Sequence, residues 1–155
     1  MVSRILRFKV FIENEAGSSR KNHFNERTLM FEREESVACP YPFPYGFIIN
    51  TLNADGDCLD CFVITDRKLH TAEVVECEAI GLMEQSEDGL SDNNVLARLS
   101  DEHRVVTPAV QGLLADFVQH VFRHLPARTV RAGRFLGAAE AEAEIIGKTR
   151  KTQSS

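Results

Sequence analysis

The chain lacks any long hydrophobic run. No apolar stretch in its 155 residues approaches the roughly 20 residues that a membrane-spanning helix requires. A secretory signal peptide is also missing, because residues 1–12 carry three basic side chains and no long apolar segment. These absences predict a soluble, cytoplasmic protein without a membrane partner.

An excess of positive charge is missing as well. The 18 Lys and Arg residues are outnumbered by 23 Asp and Glu residues, which leaves a net charge of −5. A nucleic-acid-binding protein would be expected to carry a basic excess, so we predict no nucleic-acid partner. Four cysteines do not make a disulfide framework in a chain of this length, and their thiols are expected to be reduced.

The remaining composition is ordinary for a globular domain, with 43% hydrophobic and 26% charged residues. A chain of this length buries roughly 70% of its unfolded surface, enough for a core without covalent support. We therefore expect a single domain over residues 1–155, with a frayed polar tail at 148–155.

Strands are predicted in the first two thirds of the chain. Apolar residues alternate with basic ones over residues 4–12, which is typical of a strand. Residues 14–25 are polar and predict a loop, and so does the acidic segment 85–94. Three prolines in residues 40–46 exclude a helix there. Five further strands are predicted at 28–33, 47–52, 61–65, 72–83 and 95–99.

Two helices are predicted near the C-terminus. From Pro108 the apolar residues follow a 3.6-residue spacing, with Thr107 as the cap and Pro126 as the stop. A second helix covers residues 138–146. Strands followed by helices indicate an α+β protein, in which a small barrel has helices packed outside it.

Three aspartates stand in one short acidic turn, Asp55-Gly56-Asp57-Cys58-Leu59-Asp60. Their carboxylates repel one another unless cations lie between them, and carboxylate oxygens suit Mg²⁺, Mn²⁺ or Ca²⁺. The spacing does not fit an EF-hand, which needs glycine where Asp60 stands. The alternative is an acidic β-turn in solvent.

Other candidate site residues lie on both sides of this turn. Glu87, Asp88 and Asp92 form a second acidic segment, which is either a solvated loop or part of the same site if the fold brings it near. Upstream of the turn lie four residues with cationic or hydroxyl side chains: Lys21, Arg33, Tyr41 and Tyr45. These side chains could donate hydrogen bonds to phosphate oxygens. The alternative is that they are ordinary surface groups.

The segment from Tyr41 to Asp60 resembles the soluble, metal-dependent inorganic pyrophosphatases of family I. The family pattern is Y-x-x-x-Y-G-[YF]-I followed by D-G-D-P-[LIV]-D, and Tyr41, Tyr45 and Asp55 keep its intervals. The weaker resemblance begins near Glu13 and reaches the C-terminal helices. It implies an OB-like five-stranded β-barrel with two C-terminal α-helices packed outside, and an enzyme that hydrolyses inorganic diphosphate to two phosphates.

The resemblance also implies a role for each site residue. Asp57 would be the general base that deprotonates the attacking water. The metal ligands would be Asp55, Asp60, Asp92, Glu87 and Glu13, and the phosphate-binding residues Lys21, Arg33, Tyr41 and Tyr45. The cofactor would be Mg²⁺, several ions per site, or Mn²⁺. The partners would be a small phosphate-containing substrate and further copies of the chain, in a hexamer as in bacterial relatives.

Four departures from the family pattern affect mainly the phosphate side. Cys58 stands in place of proline, His23 in place of glutamate, Asn94 in place of lysine, and Val121-Phe122 in place of Tyr-Lys. They predict reduced diphosphatase activity. The alternatives are a metal-dependent phosphohydrolase acting on an organic phosphate or diphosphate, and a non-catalytic metal- or phosphate-binding relative. The arginines at 123, 128, 131 and 134 are expected to form a solvated face, unless Arg123 or Arg128 contributes to the site.

Overall fold

A computed structural model describes residues 5–53 and 55–150. In chain order the elements are β1 (Arg7–Asn14), β2 (Arg20–Phe24), β3 (Phe31–Ser36), β4 (Tyr45–Ile48), β5 (Asp60–Val63), β6 (Val74–Glu87), β7 (Leu90–Ser91), β8 (Asn94–Leu99), α1 (Pro108–His120), β9 (Val130–Gly137) and α2 (Ala138–Lys148).

Five of these strands close into a barrel. The order is β1-β4-β5-β8-β6, and β6 pairs again with β1. All of these pairings are antiparallel except the one between β5 and β8. β7 and β9 extend the sheet from β6, whereas β2 and β3 form a separate two-stranded ribbon. The predicted α+β fold, a five-stranded barrel with two helices, is confirmed.

Apolar side chains fill the barrel and attach both helices to it. Phe8 and Val10 of β1 point into the interior, while Lys9 between them is exposed, as the alternation predicts. α2 packs Ala141 and Ile145 against the same cluster. α1 packs against a second cluster, which includes both tyrosines and Phe62. The helices therefore cover the barrel from outside.

The first helix begins as predicted and ends earlier. The Thr107 side chain accepts a hydrogen bond from the Val110 N–H at 3.2 Å, and Pro108 occupies the first turn, where its missing N–H costs nothing. The helix ends at His120, because residues 121–124 continue as turns rather than as helix up to Pro126. α2 extends two residues beyond its predicted end.

Two loop predictions were wrong, and one strand was not predicted. The predicted loop at 14–25 contains β2, and β9 follows Pro126, where the sequence predicted only a solvated arginine face; Arg131 and Arg134 on β9 are exposed. The predicted loop at 85–94 is largely a continuation of β6, a turn at Asp88-Gly89 with positive φ, and β7. These strands lie outside the barrel wall, so their side chains are not divided into a buried and an exposed face. The hydrophobic alternation that identifies a strand is therefore missing.

The end of the described chain is attached to the barrel. Thr149 pairs with Thr51 in an isolated bridge, and the Arg150 N–H donates to the Asn50 carbonyl at 2.9 Å. The frayed tail predicted from residue 148 therefore does not begin before 151, and residues 151–155 lie outside the described part. No helix within residues 5–53 and 55–150 is long and apolar enough to cross a membrane.

Gly46 → Ala is expected to destabilise the barrel by about 2–3 kcal/mol, the cost of overpacking a rigid site. An added Cβ would lie 1.7 Å from the carbonyl oxygen of Phe11 on the paired strand, a contact that backbone cannot relieve cheaply. The measurement is urea unfolding. Gly112→Ala, on α1 with open space around it, is the control and should be neutral or stabilising. Equal stability of both variants would contradict the packing argument.

Candidate active site

One cleft of about 550 Å³ gathers the predicted site residues. It lies between the β2–β3 ribbon, the acidic turn before β5 and the loop after β6. We call it the acidic cleft. Of the predicted residues, all except Tyr41 line it: Glu13, Lys21, Arg33, Tyr45, Asp55, Asp57, Asp60, Glu87 and Asp92.

Strand pairing explains why the two acidic segments meet. β5 and β8 run parallel, with Asp60 in register with Asn94. Asp92 precedes β8 by two residues, and its N–H donates to the Gln85 carbonyl at 2.8 Å. Asp92 and Asp60 therefore face the same cleft, although they are 32 positions apart in sequence. Of the second acidic segment, Glu87 and Asp92 line the cleft, whereas Asp88 does not.

The turn before β5 presents two further carboxylates. The Asp57 N–H donates to the Asp55 side chain at 2.9 Å, and Gly56 between them has φ of 90°. Asn53 closes the turn, because its N–H donates to the Asp57 carbonyl at 2.7 Å. The segment is thus an acidic turn, as one alternative predicted. It lines the cleft, which is what the metal hypothesis requires.

The β2–β3 ribbon brings the cationic side chains to the cleft. Asn22 ties the ribbon to β1, because its N–H donates to the Asn14 side chain at 2.8 Å and its amide donates to the Glu13 carbonyl at 2.9 Å. Lys21 precedes this anchor and is half-buried. Arg33 follows on β3, opposite His23, and is more exposed. Both side chains line the cleft.

The two tyrosine rings are in contact and tilted by 35° relative to each other. Tyr45 lines the cleft, and Tyr41 lies behind it with ring centroids 5.3 Å apart. Tyr41 faces a smaller cavity of about 50 Å³ that shares Lys21 and Asp60 with the cleft. Burial, followed by the nearby acidic side chains, raises the pKa of both phenols well above the ordinary range. Both tyrosines therefore remain hydrogen-bond donors at neutral pH.

Burial also raises the pKa values of three carboxyl groups that line the cleft. The pKa of Glu13 rises to about 8, mainly through burial and further through Glu26 and Asp57, although the Phe24 N–H and Lys21 oppose the shift. The pKa of Asp92 rises to about 6 through burial and the negative charge of Asp55 and Glu87. Burial and the neighbouring Asp92 raise the pKa of Asp60 as well. The cleft holds more carboxylates than its own cations neutralise.

This donor set fits a hard divalent cation. All of the predicted ligands are carboxylates, whose oxygens suit Mg²⁺, Mn²⁺ or Ca²⁺. A bound cation would offset the burial and the mutual repulsion that raise the pKa values of Glu13, Asp60 and Asp92. Among the residues described, no three His, Cys, Asp or Glu side chains already form a compact metal-binding group. The carboxylates are instead distributed along the walls of an open cleft.

The metal-free chain is expected to lose stability as pH rises from about 5 to 8. Folded Glu13 keeps its proton up to about pH 8 and unfolded Glu13 loses it near pH 4.5, so the folded state binds more protons in this window. The free energy of unfolding then falls by at most about 1.4 kcal/mol per pH unit for this group. Asp60 and Asp92 act in the same direction.

Urea unfolding in a chelator at pH 5, 6, 7 and 8 measures this slope. Glu13→Gln should flatten it, whereas Glu140→Gln, an exposed change on α2, should leave it as in the wild type. An unchanged slope in Glu13→Gln would show that Glu13 is not protonated in the folded chain.

The departures from the family pattern have identifiable contacts. The Asn94 amide donates to the Gln85 side chain at 2.7 Å, and its buried oxygen has no hydrogen-bond partner among the described residues. His23 pairs with Glu35 at 2.9 Å. Cys58 is buried, and its N–H, which proline would lack, donates to the Glu26 side chain at 2.9 Å.

Sequence reasoning missed several residues of the cleft. Glu26 lies 32 positions from the N–H it accepts, and no spacing pattern marks it. Burial, with Asp57 nearby, raises its pKa. Arg128 also lines the cleft, whereas Arg123 is exposed and reaches the Ala38 carbonyl instead. The sequence had offered Arg123 or Arg128 as a possible contributor to the site. Two further cationic residues that line the cleft, Arg27 and Arg150, were not predicted.

Known proteins resemble this chain in sequence and in fold. The chain belongs to the inorganic pyrophosphatase family, whose model matches residues 10–152. The inorganic pyrophosphatase of Streptomyces coelicolor is 32% identical over 150 residues, which cover 90% of this chain and 92% of that protein. That of Thermoplasma volcanium is 29% identical and covers 83% of this chain and 80% of its own. Membership of the family implies a requirement for a divalent metal ion.

Solved structures agree on the fold. The crystal structure of an inorganic pyrophosphatase from Neisseria gonorrhoeae superposes with a TM-score of 0.82 at 25% identity, covering 90% of this chain and 87% of that one. The inorganic pyrophosphatase from Thermus thermophilus gives a TM-score of 0.83 at 24% identity, covering 92% and 88%. The barrel and both helices are therefore those of this family.

Proposed function

We propose that the chain is a divalent-metal-dependent inorganic diphosphatase, which hydrolyses diphosphate to two phosphates. The observation that carries the proposal is the acidic cleft, where both acidic segments face Lys21 and Arg33. Carboxylates for cations and basic side chains for phosphate oxygens are the two requirements of phosphoryl transfer to water. The family membership of the chain supports the same reaction.

The carboxylates divide into ion-holding and proton-accepting groups. Bound divalent cations supply an acidified water and neutralise phosphate charge. The residues that would hold them are Asp55, Asp60, Asp92, Glu87 and Glu13. Asp57 would accept the proton of the attacking water, for which its partly exposed position at the turn leaves room. On the other side, Lys21, Arg33 and the Tyr45 hydroxyl would donate to phosphate oxygens, and Tyr41 would support Tyr45 from behind.

We further propose Mg²⁺ as the resident ion and a homohexamer as the assembly. The oxygen-only donor set suits Mg²⁺, which binds through a few carboxylates together with substrate phosphates. The exposed Leu113 on the outer face of α1 suits a contact with another copy of the chain. Analytical ultracentrifugation distinguishes monomer from hexamer, and a monomer at micromolar concentration would contradict the assembly.

The decisive assay is phosphate release from diphosphate with Mg²⁺, beside a panel of phosphate monoesters and organic diphosphates. We expect turnover of diphosphate that stops on addition of a chelator. Faster release from an organic substrate would favour the alternative hydrolase. Metal binding without release from any substrate would indicate a non-catalytic relative.

One observation favours an organic substrate as the second candidate. The smaller cavity beside the cleft has apolar walls from Val118, Val121 and Phe122, in the region where the family pattern has Tyr-Lys. An apolar group attached to a phosphate would contact these walls better than a second phosphate would. The substrate panel tests this candidate directly.

Asn94→Lys is expected to raise kcat/KM for Mg-diphosphate by about 3–10-fold. The new ammonium would enter the small cavity beside Asp60 and Asp92 and act on the charge that develops on phosphate. Asn93→Lys is the matched control, because Asn93 lies outside the cleft and its added charge should change little. A wild-type value already near the diffusion ceiling of about 10⁸–10⁹ M⁻¹s⁻¹ would refute the idea of a weakened phosphate side.

A further inference from the structure

Arg128 lies beside Phe122, the position at which the family pattern has a lysine. It follows the turns after α1 and precedes β9, and its N–H donates to the Leu125 carbonyl at 2.9 Å. Its side chain is half-buried and lines the acidic cleft. Because Asn94 and Phe122 carry no charge, the phosphate side lacks two of the cations that the family pattern would supply there.

The Phe122 ring packs against the guanidinium of Arg128. The guanidinium carbon lies 3.6 Å from the centroid of the Phe122 ring, within the range of a cation–π contact. The Lys21 ammonium lies 5.3 Å from the same centroid. The aromatic ring that replaces lysine therefore has two cations next to it, and the guanidinium is the closer one.

Two carboxylates fix the guanidinium plane. Its Nε donates to Glu87, and its Nη1 lies 3.6 Å from Glu35. A guanidinium carries five N–H donors in a rigid fork, so two carboxylates at this geometry leave donors for a further anion. The ring below and the carboxylates beside it limit the rotamers of Arg128, which lowers the entropic cost of binding an anion.

We propose that Arg128 binds a phosphate oxygen of the substrate and replaces the lysine that the family pattern has at position 122. The proposal rests on the proposed function, since it names a substrate-binding residue of the same site. Other arginines fit less well. Arg123 does not line the cleft, and Arg131 is exposed on β9 away from it. Arg33 lines the cleft from the ribbon and has its own predicted role.

Arg128→Gln is expected to lower kcat/KM for Mg-diphosphate by about 10²-fold, as the loss of a charged donor does. It should also weaken the binding of methylenediphosphonate, a non-hydrolysable diphosphate, by about tenfold in isothermal titration calorimetry with Mg²⁺. Arg131→Gln removes the same charge nearby and should match the wild type in both measurements. Wild-type binding and turnover in Arg128→Gln would overturn the proposal.

A rescue separates phosphate binding from a structural role. Adding Phe122→Lys to Arg128→Gln returns a cation to the family position, and we expect it to recover at least tenfold of the lost kcat/KM. If Arg128 only held the fold through Glu87 and Glu35, this lysine would restore nothing, and the proposal would fail.

Phe122→Leu provides a variant that removes no charge, for use if Arg128→Gln does not fold. It removes the ring that contacts Arg128, so we expect diphosphonate binding to weaken by about 3–10-fold. The melting temperature should stay within a few degrees of the wild-type value. An unchanged affinity would overturn the proposal. If the wild type binds the diphosphonate through Arg128 but releases no phosphate, the proposed function fails and this inference stands.

Discussion

Asp57→Asn is expected to lower the turnover of Mg-diphosphate by about 10²–10⁴-fold, the usual contribution of a general base. The amide keeps the shape of the side chain but cannot accept a proton from the attacking water. Burial and the negative charge of Asp55 raise the pKa of Asp57, which makes its carboxylate a better proton acceptor. Lys21 partly opposes this shift.

Metal affinity in Asp57→Asn should stay within a few fold of the wild type, because the proposed ion-holding carboxylates are unchanged. Calorimetric titration with Mg²⁺ measures affinity, and a phosphate-release assay measures turnover. Asp66→Asn is the matched control, since Asp66 is exposed and pairs with Arg104 at the surface. Full activity in Asp57→Asn would assign the base to another group, and loss of both properties together would make Asp57 a metal ligand instead.

The parts of the site that lie close together in sequence could be predicted from it. Asp55 and Asp57 share one turn, and Asp60 begins β5, which pairs with the strand that carries Tyr45. Residues this close in sequence are held near one another by the local backbone, so their spacing predicts their proximity. A small barrel with helices outside it was predictable because buried strands show their alternation or apolar runs in the sequence, whereas the number of five barrel strands was implied by the family resemblance.

Contacts between distant segments could not be predicted. Glu26 meets the Cys58 N–H across the cleft, and Arg128 meets Glu87 from a segment 41 positions away. The strands β2 and β9 position these neighbours, yet both lie outside the barrel wall and have no buried face to mark them.

Phe122 shows how a correct residue assignment can lead to an incomplete interpretation. In the sequence, Phe122 replaces the lysine of the family pattern, which removes a positive charge and adds an apolar surface. In the structure its ring supports a guanidinium, so the lost charge is supplied by a residue six positions later. The prediction of reduced diphosphatase activity therefore depends on Arg128 as much as on the absent lysines, and measured activity of the wild type decides it.

Arg33→Ala is expected to lower kcat/KM by about 10²–10³-fold, or roughly 3–4 kcal/mol of transition-state stabilisation. Arg33 lies on β3 opposite His23, so its side chain reaches the cleft from the ribbon rather than from the barrel. Because Arg33 is exposed, its loss should cost the fold little. A fall in activity at an unchanged melting temperature would then report on chemistry.

Arg20→Ala is the control for Arg33→Ala, because it removes the same charge from the same ribbon. Arg20 pairs with Glu34 at 2.6 Å on the exposed side and does not line the cleft. Steady-state kinetics should therefore separate the two variants, with Arg20→Ala close to the wild type. The separation of kcat from KM adds a second result. Loss of a donor that acts mainly on charge developing in the transition state lowers kcat, whereas loss of a donor that only holds the substrate raises KM. Equal kinetics in both variants would make Arg33 a surface charge and would leave Lys21, Tyr45 and Arg128 as the phosphate-binding side of the cleft.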